Sequence, residues 1–247
     1  MCSLGETLKG TRVPTHAMPL LVDSLRNPER VELLSPVARE TLEDGRTTFY
    51  EKLMQNLIHW QPGCLPLRDI DPAFAGMRSV CRELPVGSGG KDGIVDNLLI
   101  NADAQICLID CKPKLSKEAP ADIAAQVLGY AAALKGLSYE ALVAQTKKTK
   151  DARGDDPFAT CLLDKGATKD QRDKLKAQIE KRLKEGRFLV VLAGERIAAG
   201  SEPLAAALKA KATLPLSFGL IDMAIYGSSA GAPYVVQPRL VAKARAS

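Results

Sequence analysis

The stretch from Gly93 to Lys112 limits most sharply what this chain can fold into. Two apolar runs, Gly93 to Ile100 and Ile106 to Lys112, flank a polar turn from Asn101 to Gln105. β-rich runs separated by such a turn predict a hairpin. Side chains alternate across a strand. Ile106, Leu108, Asp110 and Lys112 therefore share one face, and Ile94, Asp96, Leu98 and Ile100 form the comparable face of the first strand. Pairing brings Asp96 toward Asp110. Two carboxylates in an apolar sheet repel one another and desolvate badly. A divalent cation would remove that penalty. The plain alternative is a strand-end ion pair between Asp110 and Lys112, with Asp96 facing a turn.

The flanking segments read as helices and strands in a definite order. Thr47 or Thr48 can cap a helix carrying Glu51 in its first turn, with Tyr50, Leu53, Leu57 and Trp60 on one stripe. Ser79 to Leu84 predicts a strand. Pro120 opens a helix to about Lys135, with Ile123, Val127, Tyr130, Ala131 and Leu134 inward and Gln126 one turn before Tyr130. Phe188 to Ala193 and Leu216 to Tyr226 predict parallel strands joined by a helix that Ser201 caps. A short helix is expected near Pro36, capped by Ser35.

Helix with Glu51, strand with Asp96, hairpin, strand with Asp110-x-Lys112, helix with Gln126 and Tyr130: this order resembles the core of the PD-(D/E)xK nuclease superfamily. The likeness covers residues 45 to 140 closely and 186 to 226 loosely. Val95 stands where a proline is usual, and Asp110 where Glu is common; both variations occur in the superfamily. The resemblance implies a restriction-endonuclease-like fold, a three-layer α/β/α sandwich with a central mixed β-sheet. It implies Mg²⁺ or Mn²⁺ held by Asp96, Asp110 and the backbone carbonyl of Cys111, with Glu51 adding a ligand or orienting water. Lys112 would orient or deprotonate water, and Gln126 would position a water or a phosphate. Tyr130 would lie at the nucleic-acid contact.

Composition sets bounds around this core. The chain has 247 residues, 46% of them hydrophobic, enough for one large domain or two small ones. No run of eighteen apolar residues predicts a membrane span, and the N-terminus lacks a signal-peptide pattern. A cytoplasmic location without membrane contact is the expectation. Six scattered cysteines, no C-x-x-C pair and two histidines argue against zinc and for reduced thiols. The glycine loop from Gly87 to Gly93 fails the phosphate-loop spacing. It reads as a turn that can approach a nucleic-acid backbone, with Lys91 near a phosphate.

The net charge of +5 is concentrated. Residues 141 to 187 hold thirteen basic and eight acidic residues, a difference of +5. Within them Thr168 to Gln171 reads as a capping box opening a helix whose apolar stripe is only Leu175, Ile179 and Leu183. That helix is either a solvated face or a nucleic-acid surface, and Lys147, Lys148 and Lys150 are the candidate contacts beside it. The organisation read from sequence is an N-terminal arm over 1–30 and a single nuclease-like α/β domain over 31–235, with the basic helical insertion at about 141–187. A basic tail follows over 236–247. The expected activity is metal-dependent phosphodiester hydrolysis of nucleic acid, DNA first, with a homodimer admissible. The alternative is a non-catalytic nucleic-acid-binding or protein-interaction module on the same fold.

Overall fold

The computed structural model describes residues 18–22, 25, 31–37, 48–87, 93–112, 119–195, 197, 203–204, 206–208, 215–229 and 231–246. The chain forms two compact units, Met1–Val37 with Ile225–Val235, and Ala38–Ala224 with Val236–Ser247.

In the smaller unit β1 (Leu20–Val22) pairs antiparallel with β2 (Val31–Leu33), Leu20 opposite Leu33. The expected arm thus contributes a strand. β3 (Ser35–Pro36) pairs antiparallel with Tyr226 and Gly227. Pro36 was expected to open a helix. It lies instead in a two-residue strand of the smaller unit, a short pairing in which a residue without an N–H is tolerated.

The larger unit begins with α1 (Thr48–Trp60) and α2 (Leu67–Ile70), followed by β4 (Arg78–Val86), β5 (Gly93–Ile100) and β6 (Ile106–Lys112). Then come α3 (Pro120–Leu134), α4 (Tyr139–Thr146), α5 (Pro157–Leu162) and α6 (Lys169–Glu185). β7 (Phe188–Gly194), β8 (Ser217–Ser228) and β9 (Gly231–Ala244) complete the chain. The order β8-β7-β6-β5-β4 makes a mixed sheet: β4, β5 and β6 are antiparallel neighbours, whereas β6, β7 and β8 run parallel. The hairpin, the parallel pair and the capping box at Thr168 agree with the sequence expectations. The cap expected at Ser201 and the alternative cap Thr47 lie outside the described residues.

Helices cover both faces of the sheet. Leu98, Leu108, Val190, Leu192 and Leu220 join one buried cluster with Ile123, Val127 and Tyr130 of α3 and the apolar stripe of α6. On the opposite face Asn97 Nδ2 donates to the Gln55 carbonyl of α1 at 3.0 Å, and Gly219 leaves room for Ile70 of α2. The inward stripe of α1 is Tyr50, Met54 and Ile58, with Trp60 exposed. Of the expected Tyr50, Leu53, Leu57, Trp60 stripe, Tyr50 is inward as expected; Leu53 and Leu57 are half-buried, with Met54 and Ile58 one position on taking the inward places. A 3.6-residue turn lets two adjacent apolar stripes compete, and packing on the sheet selects the one holding Met54 and Ile58.

The C-terminal basic segment is no free tail. Residues up to Ala244 belong to β9, and Arg245 Nε lies 3.3 Å from the fully buried Asp71 carboxylate. Lys243 donates to the Asp69 carbonyl.

Candidate active site

The β5–β6 register pairs Asn97 with Ile109 and Leu98 with Leu108. The ladder ends there; Asp96 and Asp110 are the next residues on the two strands, and the Asp110 charge acts on Asp96. Both are buried. Asp96 uses both oxygens: Oδ1 accepts from Gln55 Nε2 at 2.8 Å, and Oδ2 accepts the Cys111 N–H at 2.5 Å. Asp96 is thus bound to the β6 backbone between Asp110 and Lys112.

Asp110, Lys112, Gln126 and Tyr130 close a ring. Lys112 Nζ donates to Gln126 Oε1 at 2.8 Å, and Gln126 Nε2 donates to Tyr130 Oη at 2.7 Å. Tyr130 Oη donates to Asp110 Oδ1 at 3.4 Å, and Asp110 Oδ2 lies 3.3 Å from Lys112 Nζ. Strand alternation explains the first half of this arrangement: Asp110 and Lys112 face α3 together. The helical i, i+4 spacing of Gln126 and Tyr130 explains the second.

The electrostatics follow from burial. Desolvation, then Asp110 and Glu51, outweigh the Cys111 hydrogen bond and Lys112, and the Asp96 carboxyl is pushed up to about 8. Glu51 is half-buried, and its carboxyl is raised by burial and then by Asp110, with Lys112 opposing. Burial and the neighbouring Asp110 raise the Tyr130 phenol, so it acts as a neutral donor.

The structure brings together Asp96, Asp110, Cys111, Lys112, Gln126 and Tyr130, with Glu51 within electrostatic reach. It leaves Lys147, Lys148 and Lys150 apart, exposed on the turn after α4. Lys91 lies outside the described residues. Among the described residues no three His, Cys, Asp or Glu side chains are grouped closely enough to hold a metal ion by themselves. The oxygen donors here, two buried carboxylates and a backbone carbonyl, are of the kind that suits Mg²⁺ or Mn²⁺. Such ions keep several waters and need few protein ligands.

Sequence reasoning missed three supports of the cluster. Gln55 lies four residues after Glu51, so helical spacing places both on one side of α1 and could have found it. Glu83 has φ +53 in β4, between the paired positions Arg82–Asn97 and Leu84–Val95. No residue type signals this kink beside Asp96; a non-glycine residue in the left-handed region is uncommon and concentrates near functional sites. Gly93 has φ +128, and a Cβ there would lie 2.6 Å from Tyr130 Cε1. The glycine therefore seats the ring of Tyr130 at the start of the Asp96 strand.

No protein-family model matches this sequence, and comparison with curated proteins and with solved structures finds no match. Among the described residues no helix is long and apolar enough to cross a membrane.

Proposed function

We propose that this cluster is a metal-dependent phosphodiesterase site of the PD-(D/E)xK type, on a restriction-endonuclease-like α/β/α sandwich, acting on nucleic acid with DNA as the first candidate. One observation carries the reading. Two buried carboxylates sit on adjacent strands within electrostatic reach of one another, and a half-buried lysine lies 3.3 Å from one of them. Folding gains nothing from this repulsion, so the arrangement points to a ligand that relieves it.

Asp96, Asp110 and the Cys111 carbonyl would hold Mg²⁺ or Mn²⁺, and Glu51 would complete or orient the shell. The ion supplies Lewis acidity at the phosphoryl oxygen and lowers the pKa of a bound water. The chain's own residues do the rest. Gln55 and the Cys111 N–H hold the Asp96 carboxylate in place. Lys112, steadied by Gln126, places positive charge where phosphoryl charge grows. Tyr130 keeps Asp110 oriented through its hydroxyl. A cytoplasmic setting fits the free thiols of Cys81, Cys107 and Cys111.

A second reading has its own observation. The ring occupies Lys112 with Gln126 and Asp110, and among the described residues no third carboxylate closes on the pair. A non-catalytic nucleic-acid-binding or protein-interaction module would have this appearance. Incubation with plasmid and linear DNA separates the readings. Cleavage is expected with Mg²⁺ or Mn²⁺ and not with EDTA, and Asp110→Ala and Lys112→Ala each abolish it. Absence of cleavage under every metal condition favours the second reading, and cleavage that survives both substitutions rejects this site.

A further inference from the structure

Trp60 is the chain's single tryptophan, and it is 64% exposed at the end of α1. A large aromatic side chain ordinarily contributes its area to a core or an interface. The residue before it is anchored. His59 Nδ1 lies 2.7 Å from Ser79 Oγ of β4, and its ring meets the indole edge-on, 5.2 Å away at 76°.

A second anchor lies three residues along β4. Arg82 donates from Nε and Nη2 to the two carboxylate oxygens of Asp151, each at 2.8 Å, and its backbone N–H donates to the same carboxylate at 3.0 Å. This fork ties the turn after α4 to the strand. Thr149 tightens the turn by donating its N–H and its hydroxyl to the Thr146 carbonyl, at 3.0 and 2.8 Å. Lys148 and Lys150 flank Thr149, and both are exposed. Arg153 is exposed as well and acts, with Arg82, on the His59 imidazole. A β-bulge between Ser79 and Cys81 separates the two anchors, and His59 lies within electrostatic reach of Asp151, Arg82 and Arg153, so both anchors serve one patch.

An exposed indole and a turn of exposed cations, each tied to β4, match one chemistry closely. Bases stack on aromatic rings without regard to sequence, and the phosphates between them follow positive charge. A duplex keeps its base faces stacked and hidden, so the partner that can use the indole is a single strand. We propose that Trp60 together with Lys148, Lys150 and Arg153 forms a binding surface for single-stranded nucleic acid, on which a base stacks against the indole and the backbone tracks the cations. The surface rests on nucleic acid being the partner, and not on cleavage.

Trp60 supplies its own reporter, because all tryptophan fluorescence of the protein comes from it. The full chain is titrated in EDTA with oligodeoxythymidylate of about 15 nucleotides, the upper range for one binding unit. Saturable quenching is expected, with a blunt duplex of equal length quenching less. Trp60→Ala should weaken binding of a fluorescein-labelled strand about tenfold, the loss of one stacked base. Asp151→Asn discriminates further. It removes a negative charge beside the lysines, so unpositioned electrostatic attraction would tighten binding, whereas loss of the anchored turn weakens it. Unquenched fluorescence with excess strand, unchanged affinity of Trp60→Ala, or tighter binding by Asp151→Asn would each overturn the proposal. Cleavage is read separately: quenching without cleavage leaves this surface standing, and cleavage without quenching removes this surface alone.

Discussion

Helix α6 and the Asp96–Asp110–Lys112 cluster are both rich in charge and hold it in opposite ways. On α6 the charges stay at the surface, and several pair along the helix: Lys174 and Asp170 lie 2.9 Å apart with both side chains 73% exposed, and Arg182 and Glu185 lie 3.2 Å apart. Pairs of this kind contribute about 0–1 kcal/mol. In the cluster the carboxyl groups are buried, Asp110 acts on Asp96, and hydrogen bonds hold each in place. The helix's charge serves its solvated face. The cluster's charge is costly where it stands, a cost that the proposed metal ion would relieve.

The largest difference between the regions should appear with pH. In the folded apo-protein the Asp96 carboxyl is pushed up from 3.8 to about 8. Between those values the folded state keeps a proton that the unfolded chain releases. Asp96 therefore lowers stability as pH rises from about 4 to about 8, by up to about 1.4 kcal/mol per pH unit, and contributes no further slope above that window. Glu51, also raised, acts in the same direction. Denaturant unfolding of wild type and Asp96→Asn across this range measures it. The slope should shrink in the variant, whatever its absolute stability; equal slopes would mean that Asp96 is not strained by burial.

Glycine substitutions probe a close strand contact at the cluster against a roomy position on α3. A Cβ on Gly194 would lie 2.0 Å from the Lys112 carbonyl oxygen. Gly194→Ala must push β7 from the end of β6, and a loss of about 3 kcal/mol is expected. Gly129 in α3 has nothing within 4 Å of such a Cβ, so Gly129→Ala should gain about 0.8 kcal/mol from helix propensity alone. Thermal melts check both, and a neutral Gly194→Ala would show that the strand ends have slack. The smallest effect belongs to α6: Lys174→Ala should change stability by less than about 0.5 kcal/mol. A larger loss there would erase the contrast between the two regions.

Local rules made much of this legible. The turn from Asn101 to Gln105 and the alternation of Asp110 with Lys112 exposed the hairpin and the shared face. The i, i+4 spacing of Gln126 and Tyr130 exposed the wall opposite. The capping box at Thr168 and the stripe of Leu175, Ile179 and Leu183 outlined α6. What stayed hidden depends on contacts between distant segments. The choice of Met54 and Ile58 over Leu53 and Leu57 is made by the sheet that α1 meets. The strand at Pro36 is made by a partner some 190 residues away in the chain. The kink at Glu83 has no local signal, and the hydrogen bond from Gln55 to Asp96 joins residues 41 positions apart.

The central claim is that Asp96 and Asp110 sit on adjacent strands to receive a cation, and four melts test it most directly: wild type and Asp110→Asn, each with and without Mn²⁺. Asp110→Asn removes, at constant shape, the neighbouring charge that together with burial keeps Asp96 from ionising. Without metal it should leave stability unchanged or raise it by about 1 kcal/mol, against the destabilisation of an average buried polar substitution. Mn²⁺ at one hundred times its dissociation constant should stabilise wild type by about 2.7 kcal/mol, and the variant should lose most of that gain. A variant strongly destabilised without metal, in a protein whose melts ignore Mn²⁺, would make Asp110 a structural partner of Lys112 and contradict the account.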